Sequence, residues 1–516
     1  MRFSSFFRSK HKNNENTHEF PVDLKKSLDK NLDTLKQMLE NPNDLMIRVF
    51  SLGQTERRCA IVYIDGLADR MEINTNVMKN LQLFAYKENL PAGAGKLLQE
   101  VEKELVSVGD VTTGHDLDDA ANGLLYGSTL VYLDGVDQVL IIGMKGWDTR
   151  AISEPISESL IRGPREGFTE NYRTNTTMIR RHIRDPNLRF KTYDIGRRSK
   201  KKLSVAYIEG IIHPDLIKEI DRRVKSIDLD DAPESGFIEE WIEDSFLSPF
   251  PQLINTERPD KVSTALLQGK AGIILDGTPF ALIAPATLGG TLQSPEDYYE
   301  RWMIGSFLRL LRYFASFLAM FLPALYIALV SYHQGMIPSQ LAFSIAATRE
   351  GVPFPAFIEA IMMGMTMELL REAGARLPTT IGNTIGIVGG LVIGEAAVQA
   401  GIVSPVMVIV VALTAIASFS IPAYSVAISF RLLRFAFMMA AAILGLYGIV
   451  LIYIMINIHI VNLKSIGVPY SAPFSPTFFR DWKDLVLRAP ITMRPRRPSF
   501  LRTDDSKSAN KGDSSQ

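Results

Sequence analysis

Cysteine is all but missing from this chain of 516 residues, with Cys59 standing alone. One thiol excludes a disulfide framework and any metal cluster built on cysteines. An excess of charge of either sign is missing too. The 56 basic and 56 acidic side chains cancel, which argues against a polyanionic partner. The opening MRFSSFFRSKHKNNENTHEF lacks an apolar core of signal-peptide length. The large polar region that follows is therefore expected on the cytoplasmic side. No aromatic-basic motif or zinc finger points to nucleic acid. No nucleophile–base constellation stands out, so neither catalysis nor a cofactor nor a metal is expected.

Stretches that resemble chemistry have plainer explanations. PAGAGK at 91–96 hints at a phosphate loop, but Leu97 stands where a hydroxyl belongs and the glycine spacing is wrong. GHDLDD at 114–119 and His213-Pro214-Asp215 read as helix starts.

What the chain does have is segregation. It is polar and charged to about residue 309 and largely apolar over 313–460. Length alone suggests two to four domains. Leu24, Leu28, Leu32, Leu35 and Leu39 mark an amphipathic helix that Asn41-Pro42-Asn43 ends. An internal repeat follows. AIVYIDGLADRMEINTNVMKNL from Ala60 resembles SVAYIEGIIHPDLIKEIDRRV from Ser204, each a strand, an acidic-Gly turn and a helix. LLYGSTLVYLDGVDQVLIIGM from Leu124 resembles LLQGKAGIILDGTPFALIAPAT from Leu266, each a helix end and two strands joined at Asp-Gly. Two duplicated α/β lobes are inferred.

Between the lobes lies a basic connector carrying Arg162, Arg165, Arg180, Arg181 and Arg184. These are candidates to bind phosphate, acidic lipid or another subunit. A solvated connector docked between the lobes accounts for them as well. The predicted layout is a disordered N-terminus at 1–23, a helical lead-in at 24–46 and a first lobe at 47–150. The connector at 151–202, a second lobe at 203–300, a helical membrane domain at 301–462 and a basic, partly disordered tail at 463–516 complete it. The fold class is thus an α/β cytoplasmic region of two duplicated lobes followed by an all-α multi-pass membrane domain.

Apolar runs in the last third are uneven. The run 313–331 contains Pro323 and follows Arg301, Arg309 and Arg312, which suits an N-inside start. The run 357–370 carries Glu359 and Glu368, nine residues apart. It reads as a re-entrant or interfacial helix, or as a span whose acids face a cavity. Runs at 405–421 and 435–460 follow, the latter after Arg431 and Arg434. Four spans return the basic tail to the cytoplasm. Counting 357–370 as a fifth places Arg371, Arg376, Arg431 and Arg434 inside but sends the tail out. The expectation adopted is four full spans plus a partly inserted segment.

The run IGNTIGIVGGLVIGEAAVQAGI at 381–402 has two faces. Gly382, Gly386, Gly390 and Gly394 recur every fourth residue, a spacing that lets another backbone approach closely within a membrane. The opposite face carries Thr384, Val388, Leu391, Val392, Glu395 and Gln399. A carboxylate within a span costs several kcal/mol unless it meets a partner or water. That makes this face the candidate pore lining, with close-packed pairing of Glu395 as the alternative.

Several blocks together resemble one family over nearly the whole chain. They are SEPISESLIRGPREGF, SPFPQLINTERPDKVSTAL, QSPEDYYERW, VSYHQG, VPFPAFIEA, ELLREAGARLP, IGIVGGLVIGEAAV and FRLLRFAFMMAAAILGLYGI. The chain resembles the A subunit of GerA-type spore germinant receptors. That resemblance implies residence in the inner membrane of a bacterial spore, beside a transporter-like B subunit and a lipoprotein C subunit. It also implies a homo-oligomeric ring of A subunits in contact with membrane lipid, converting nutrient detection into ion release. Three functions stay open: a ligand-gated ion channel subunit, a non-conducting scaffold for another channel, and a secondary transporter.

Overall fold

The computed structural model describes residues 23–508 except 53–56, 85–92, 105–110, 145–153, 156, 159, 377–389, 391 and 494–495. It divides into two compact units, Met1–Thr149 with Ile183–Leu188, and Arg150–His182 with Arg189–Gln516.

The first unit is built on a five-stranded sheet. Its elements run α1 (Leu28–Met38), β1 (Leu45–Ser51), β2 (Arg58–Ile64), a helical stretch over 70–84 and α2 (Ala94–Glu104). Then come β3 (Val111–Gly114), α3 (Leu117–Leu125), β4 (Thr129–Leu133) and β5 (Val139–Ile142). The strand order is β1-β2-β4-β5-β3, with antiparallel neighbours throughout. Alternation along β2 shows why both faces are covered. Cys59 and Ile61 join one apolar cluster with Ile73, Val77, Leu97 and Val101, while Ala60, Val62 and Ile64 join another with Leu28, Leu32, Leu35 and Leu124. Successive side chains of a strand point to opposite faces, so one strand feeds two cores. Burial pushes the Cys59 thiol up to about 12, which keeps it a neutral packing group.

The second unit begins with the same plan. Its elements are α4 (Tyr172–His182), β6 (Leu188–Ile195), β7 (Lys201–Ile208), α5 (Pro214–Lys225) and α6 (Ser235–Ile242). β8 (Ile254–Thr256), α7 (Pro259–Leu267), β9 (Ala271–Leu275) and β10 (Ala281–Ala284) complete the lobe, in sheet order β6-β7-β9-β10-β8. The segment read as a connector thus supplies α4, β6 and the start of β7 to this sheet. Within α5, Leu216, Ile220 and Val224 are buried at four-residue steps, and the His213 side chain caps the helix by accepting from the Asp215 amide.

Each sheet is locked to its leading helix by the same hydrogen bonds. The Leu28 amide donates to Asp134 Oδ1, and the Tyr172 amide to Asp276 Oδ1. The Gly135 amide donates to the Lys26 carbonyl, and the Gly277 amide to the Glu170 carbonyl. Gly135 (φ 90°) and Gly277 (φ 89°) turn the two hairpins in a backbone region L side chains rarely adopt. Asn31 and Asn175 each accept from and donate to the backbone six residues earlier, at Lys25 and Thr169.

The apolar helices follow: α8 (Trp302–Ser331), α9 (Ser339–Arg349), α10 (Ala356–Arg376), a helix over 392–399, α11 (Pro405–Phe419) and α12 (Tyr424–Asn462). Among the described residues, α8 and α12 are long and apolar enough to cross a membrane. The run 435–460, read as a single crossing, is not straight. Gly445 has φ 61° and ψ −140°, far from helical values. The Phe321 ring lies 4.6 Å from Phe437 and 5.9 Å from Tyr453, residues that a straight helix would hold about 24 Å apart. Phe250 likewise touches both Phe430, at 6.4 Å, and His459, at 6.2 Å. The chain therefore doubles back at Gly445, and α12 is a hairpin of two apolar arms.

The described residues of 463–493 and 496–508 return to the second lobe. The Ser465 hydroxyl accepts from the Ala286 amide at 2.8 Å, Arg497 Nε donates to the Leu267 carbonyl at 2.7 Å, and the Asp504 amide donates to the Ile211 carbonyl at 3.1 Å. The tail and the second lobe therefore lie on the same side of the apolar helices.

Candidate functional site

Loop 245–253 of the second lobe sits against both arms of the α12 hairpin. Prolines at 249 and 251 flank Phe250 and restrict the backbone of this turning stretch. The Gln252 side chain ties its ends, with Oε1 accepting from the Asp244 and Ser245 amides at 2.8 and 2.9 Å. Ser248 Oγ lies 2.8 Å from His459 Nε2 on the returning arm. Ser429 on the outgoing arm donates its hydroxyl to the Pro249 carbonyl, and Ser465 donates to the Gln252 carbonyl. Phe250, 2% exposed, fills the space between Phe430, His459 and Tyr470. Any displacement of this loop bears on both arms at once.

A buried ion network fixes the start of α8. Asp297 and Arg309 are each 0% exposed. Asp297 accepts from Arg309 Nε at 3.1 Å and from both terminal nitrogens of Arg312 at 3.0 and 3.1 Å. Arg309 Nη1 also donates to the Asp484 carbonyl at 2.8 Å, and Tyr298 OH donates to Asp484 Oδ2 at 2.9 Å. Arg488 donates to the Glu300 and Tyr298 carbonyls at 2.5 and 3.1 Å. The exit from the lobe, the first turns of α8 and the C-terminal segment thus form one hydrogen-bonded block.

At the other end of the helices, Tyr332 donates its hydroxyl to the Ala442 carbonyl at 2.5 Å. That carbonyl precedes the break at Gly445, where helical bonding is interrupted. A Cβ on Gly445 would stand 2.8 Å from the His333 ring.

The acids singled out in the sequence are held in different places. Glu359 is 0% exposed, accepts from the Ser404 amide at 2.8 Å and pairs with Arg349 at 3.0 Å. Glu368 meets Arg434 at 2.9 Å, Arg371 at 3.2 Å and Arg431 at 3.7 Å. The run 357–370 lies within the 21-residue helix α10, where a spacing of nine residues sets the two acids on opposite faces, each neutralised by its own arginine partners rather than sharing a cavity.

Of the candidate pore face, Thr384, Val388 and Leu391 lie outside the described residues, as do Gly382 and Gly386. Val392, Glu395 and Gln399 are exposed, and Gln399 Nε2 donates to Glu395 Oε1 at 3.2 Å. A Cβ on Gly394 would meet Val408 at 3.5 Å, whereas one on Gly390 would meet nothing within 4 Å. Within the described chain, then, only Gly394 of this pair touches a neighbouring helix.

The connector arginines do not form one patch. Arg162 lies 3.8 Å from Glu300, Arg165 lies 3.9 Å from Glu154, and Arg181 pairs with Glu166 at 3.2 Å. Arg180 is buried over the Phe190 ring at 4.9 Å, and Arg184 stacks on Tyr126 at 4.2 Å. Sequence reasoning passed over the side chains that do the docking. Lys261 and Thr256 both donate to Glu158, and buried Arg258 donates to the Glu158 and Pro164 carbonyls. It also passed over Phe250, Asp297 and Gly445. The signal for the first two was the Pro-flanked SPFP block and the density of charge beside the first apolar run.

Comparisons with known proteins agree across nearly the full length. Residues 33–500 match the family described as Bacillus/Clostridium GerA spore germination protein. The chain is 49% identical to spore germination protein GerLA of Bacillus cereus over 94% of this chain and 98% of that one. It is 43% identical to spore germination protein KA of Bacillus subtilis strain 168, over 94% and 89%. The crystal structure of the N-terminal domain of the A subunit of the Bacillus megaterium spore germinant receptor GerK3 matches at 34% identity and a TM-score of 0.40, covering 52% of this chain and 97% of that domain.

Proposed function

Given that the chain belongs to the Bacillus/Clostridium GerA spore germination protein family, we propose that it is the A subunit of a germinant receptor and passes ions across the spore inner membrane. In this reading it works with a transporter-like B subunit that detects the nutrient and a lipoprotein C subunit. The observation that carries the channel reading is the position of Glu395. It is exposed, with Gln399, on a helix whose neighbouring Val392 is 56% exposed. A carboxylate facing hydrocarbon is costly, so that face calls for water and further copies of the chain around it.

The helix ends support a multi-pass arrangement of the described helices. On the lobe side lie Arg309 with Asp484, Glu368 with Arg434, Arg371 with Ser418, Ser429 with Pro249, and His459 with Ser248. On the far side lie Tyr332 with Ala442, Glu359 with Ser404, and Gly401 beside Gly351. Among the described residues, the chain passes between the sides along α8, α10, α11 and the two arms of α12, and Arg376 and Gly401 lie on opposite sides. Arg371, Arg376, Arg431, Arg434 and the tail all fall on the lobe side, which obeys the positive-inside rule with the lobe cytoplasmic. The expectation of four full spans plus a partly inserted segment counts 435–460 as one crossing; in this reading the turn at Gly445 makes it two, which favours a lobe-side position for both the arginines and the tail.

The test uses receptor reconstituted in liposomes. Leu391→Ala is expected to widen an apolar constriction and raise ion leak without nutrient. Glu395→Gln is expected to lower conductance or cation preference. Unchanged leak, conductance and selectivity in correctly assembled complexes would rule this face out as the pore lining and leave a scaffold.

A further inference from the structure

A cleft of about 500 Å³ opens where the second lobe, the turn at Leu288–Thr291 and the C-terminal segment meet. That is within the size range of small-molecule sites. Its walls carry five cationic side chains, Lys270, Arg480, Lys483, Arg496 and Arg497, against the two acids Asp481 and Asp484. Both acids are engaged elsewhere. Asp481 accepts from the Ser499 amide and hydroxyl at 2.7 and 3.0 Å, and Asp484 accepts from Tyr298 and Arg309. Arg497 is held by Asp505 at 2.6 Å, whereas Lys270, Lys483 and Arg496 have no ion-pair partner among the described residues.

Lys270 is the anomaly. It is 6% exposed, at the end of the turn entering β9, with its ammonium beside Gly290. Buried ammonium groups are normally paired, because taking the charge out of water is expensive. Burial, with Lys261 nearby, brings its pKa down to about 8. Below that pH the folded protein holds an uncompensated cation facing the cleft, a standing cost that an anion in the cleft would remove.

We propose that this cleft binds a phosphate-bearing anion, with Lys270 at its floor and Lys483 and Arg496 at its rim. Arginine forks and lysine ammonium groups are the side chains that recognise phosphate oxygens, and Thr287 and Thr492 also line the space. The cleft adjoins Asp484 and Leu485, which grip Arg309 at the start of α8. Its occupant is therefore either the headgroup of an anionic phospholipid or a soluble phosphate compound.

Thermal unfolding of the full chain in uncharged detergent separates these sources. Inorganic phosphate is titrated against chloride at equal ionic strength, and phosphatidylglycerol against phosphatidylcholine. A saturable rise in Tm with phosphate supports a soluble ligand; a rise with phosphatidylglycerol alone supports a lipid. In either case Lys270→Met is expected to weaken the response at least tenfold while raising the Tm of the unliganded protein. Lys483→Ser, at an exposed position, is expected to weaken it without altering the unliganded Tm, and serves if the Met variant misfolds. No response to either anion, or a response of wild-type size in both variants, overturns the site.

Discussion

Asp297→Asn removes one charge and almost no volume from the block that joins the second lobe to α8. The wild-type carboxylate, 0% exposed, takes three hydrogen bonds from Arg309 and Arg312 and one from the Ser294 amide. An Asn in its place keeps one acceptor oxygen and presents an amide N–H₂ to guanidiniums that only donate. Removing one partner of a buried ion pair costs roughly 3–5 kcal/mol, because the surviving charge is left uncompensated. That loss lowers the folded-to-unfolded ratio by about two to four powers of ten, against a total stability of roughly 5–15 kcal/mol for an ordinary domain. The assay is unfolding of the detergent-purified chain, monitored by Tm and by proteolysis at the lobe exit. Two comparisons sharpen it. Glu372→Gln, which breaks an exposed i,i+4 pair with Arg376 at 2.6 Å, is expected to cost no more than about 0.5 kcal/mol. Asp297→Asn combined with Arg309→Met is expected to lose less than the sum of the single variants, since it deletes the orphaned charge as well. An Asp297→Asn protein with the wild-type Tm, or a double variant that loses the full sum, would refute the reasoning.

Gly445→Ala is expected to lower stability by about 1–3 kcal/mol from backbone strain alone. The contact of the new Cβ with His333, at 2.8 Å, adds to that; folded yield and Tm at wild-type levels would show that the hairpin turn does not need glycine. Burial, with Glu243 and Glu234 nearby, raises Glu239 to about 7, and burial, with Glu240 and Asp244 nearby, does the same to Glu243. The folded state thus holds more protons than the unfolded state between the ordinary carboxylate range and about pH 7, so stability falls as pH rises through that window. Glu239→Gln is expected to raise the Tm at pH 8 by roughly a few degrees and to leave it unchanged at pH 4; equal effects at both pH values would show that the carboxyl does not titrate as described.

Local pattern and composition were enough for much of this protein. The leucines of α1, the strand alternation of β2 and the Asp-Gly turns at 134–135 and 276–277 state which faces are buried and where the chain reverses, because period and turn chemistry are properties of neighbouring residues. The quoted blocks sufficed for the family. What the sequence could not state is which distant groups meet. Glu359 and Glu368 lie nine residues apart on α10, and nothing local states that Arg349 neutralises one and Arg434 the other, because ion pairing depends on which helices pack together. The turn at Gly445 is invisible to hydropathy, since both arms are equally apolar and a glycine there reads as one more small residue. Likewise nothing local marks Phe250 as the residue between two helical arms, or Lys270 as a buried cation facing a cleft. Both follow only from segments some 200 residues apart along the chain folding back onto the second lobe.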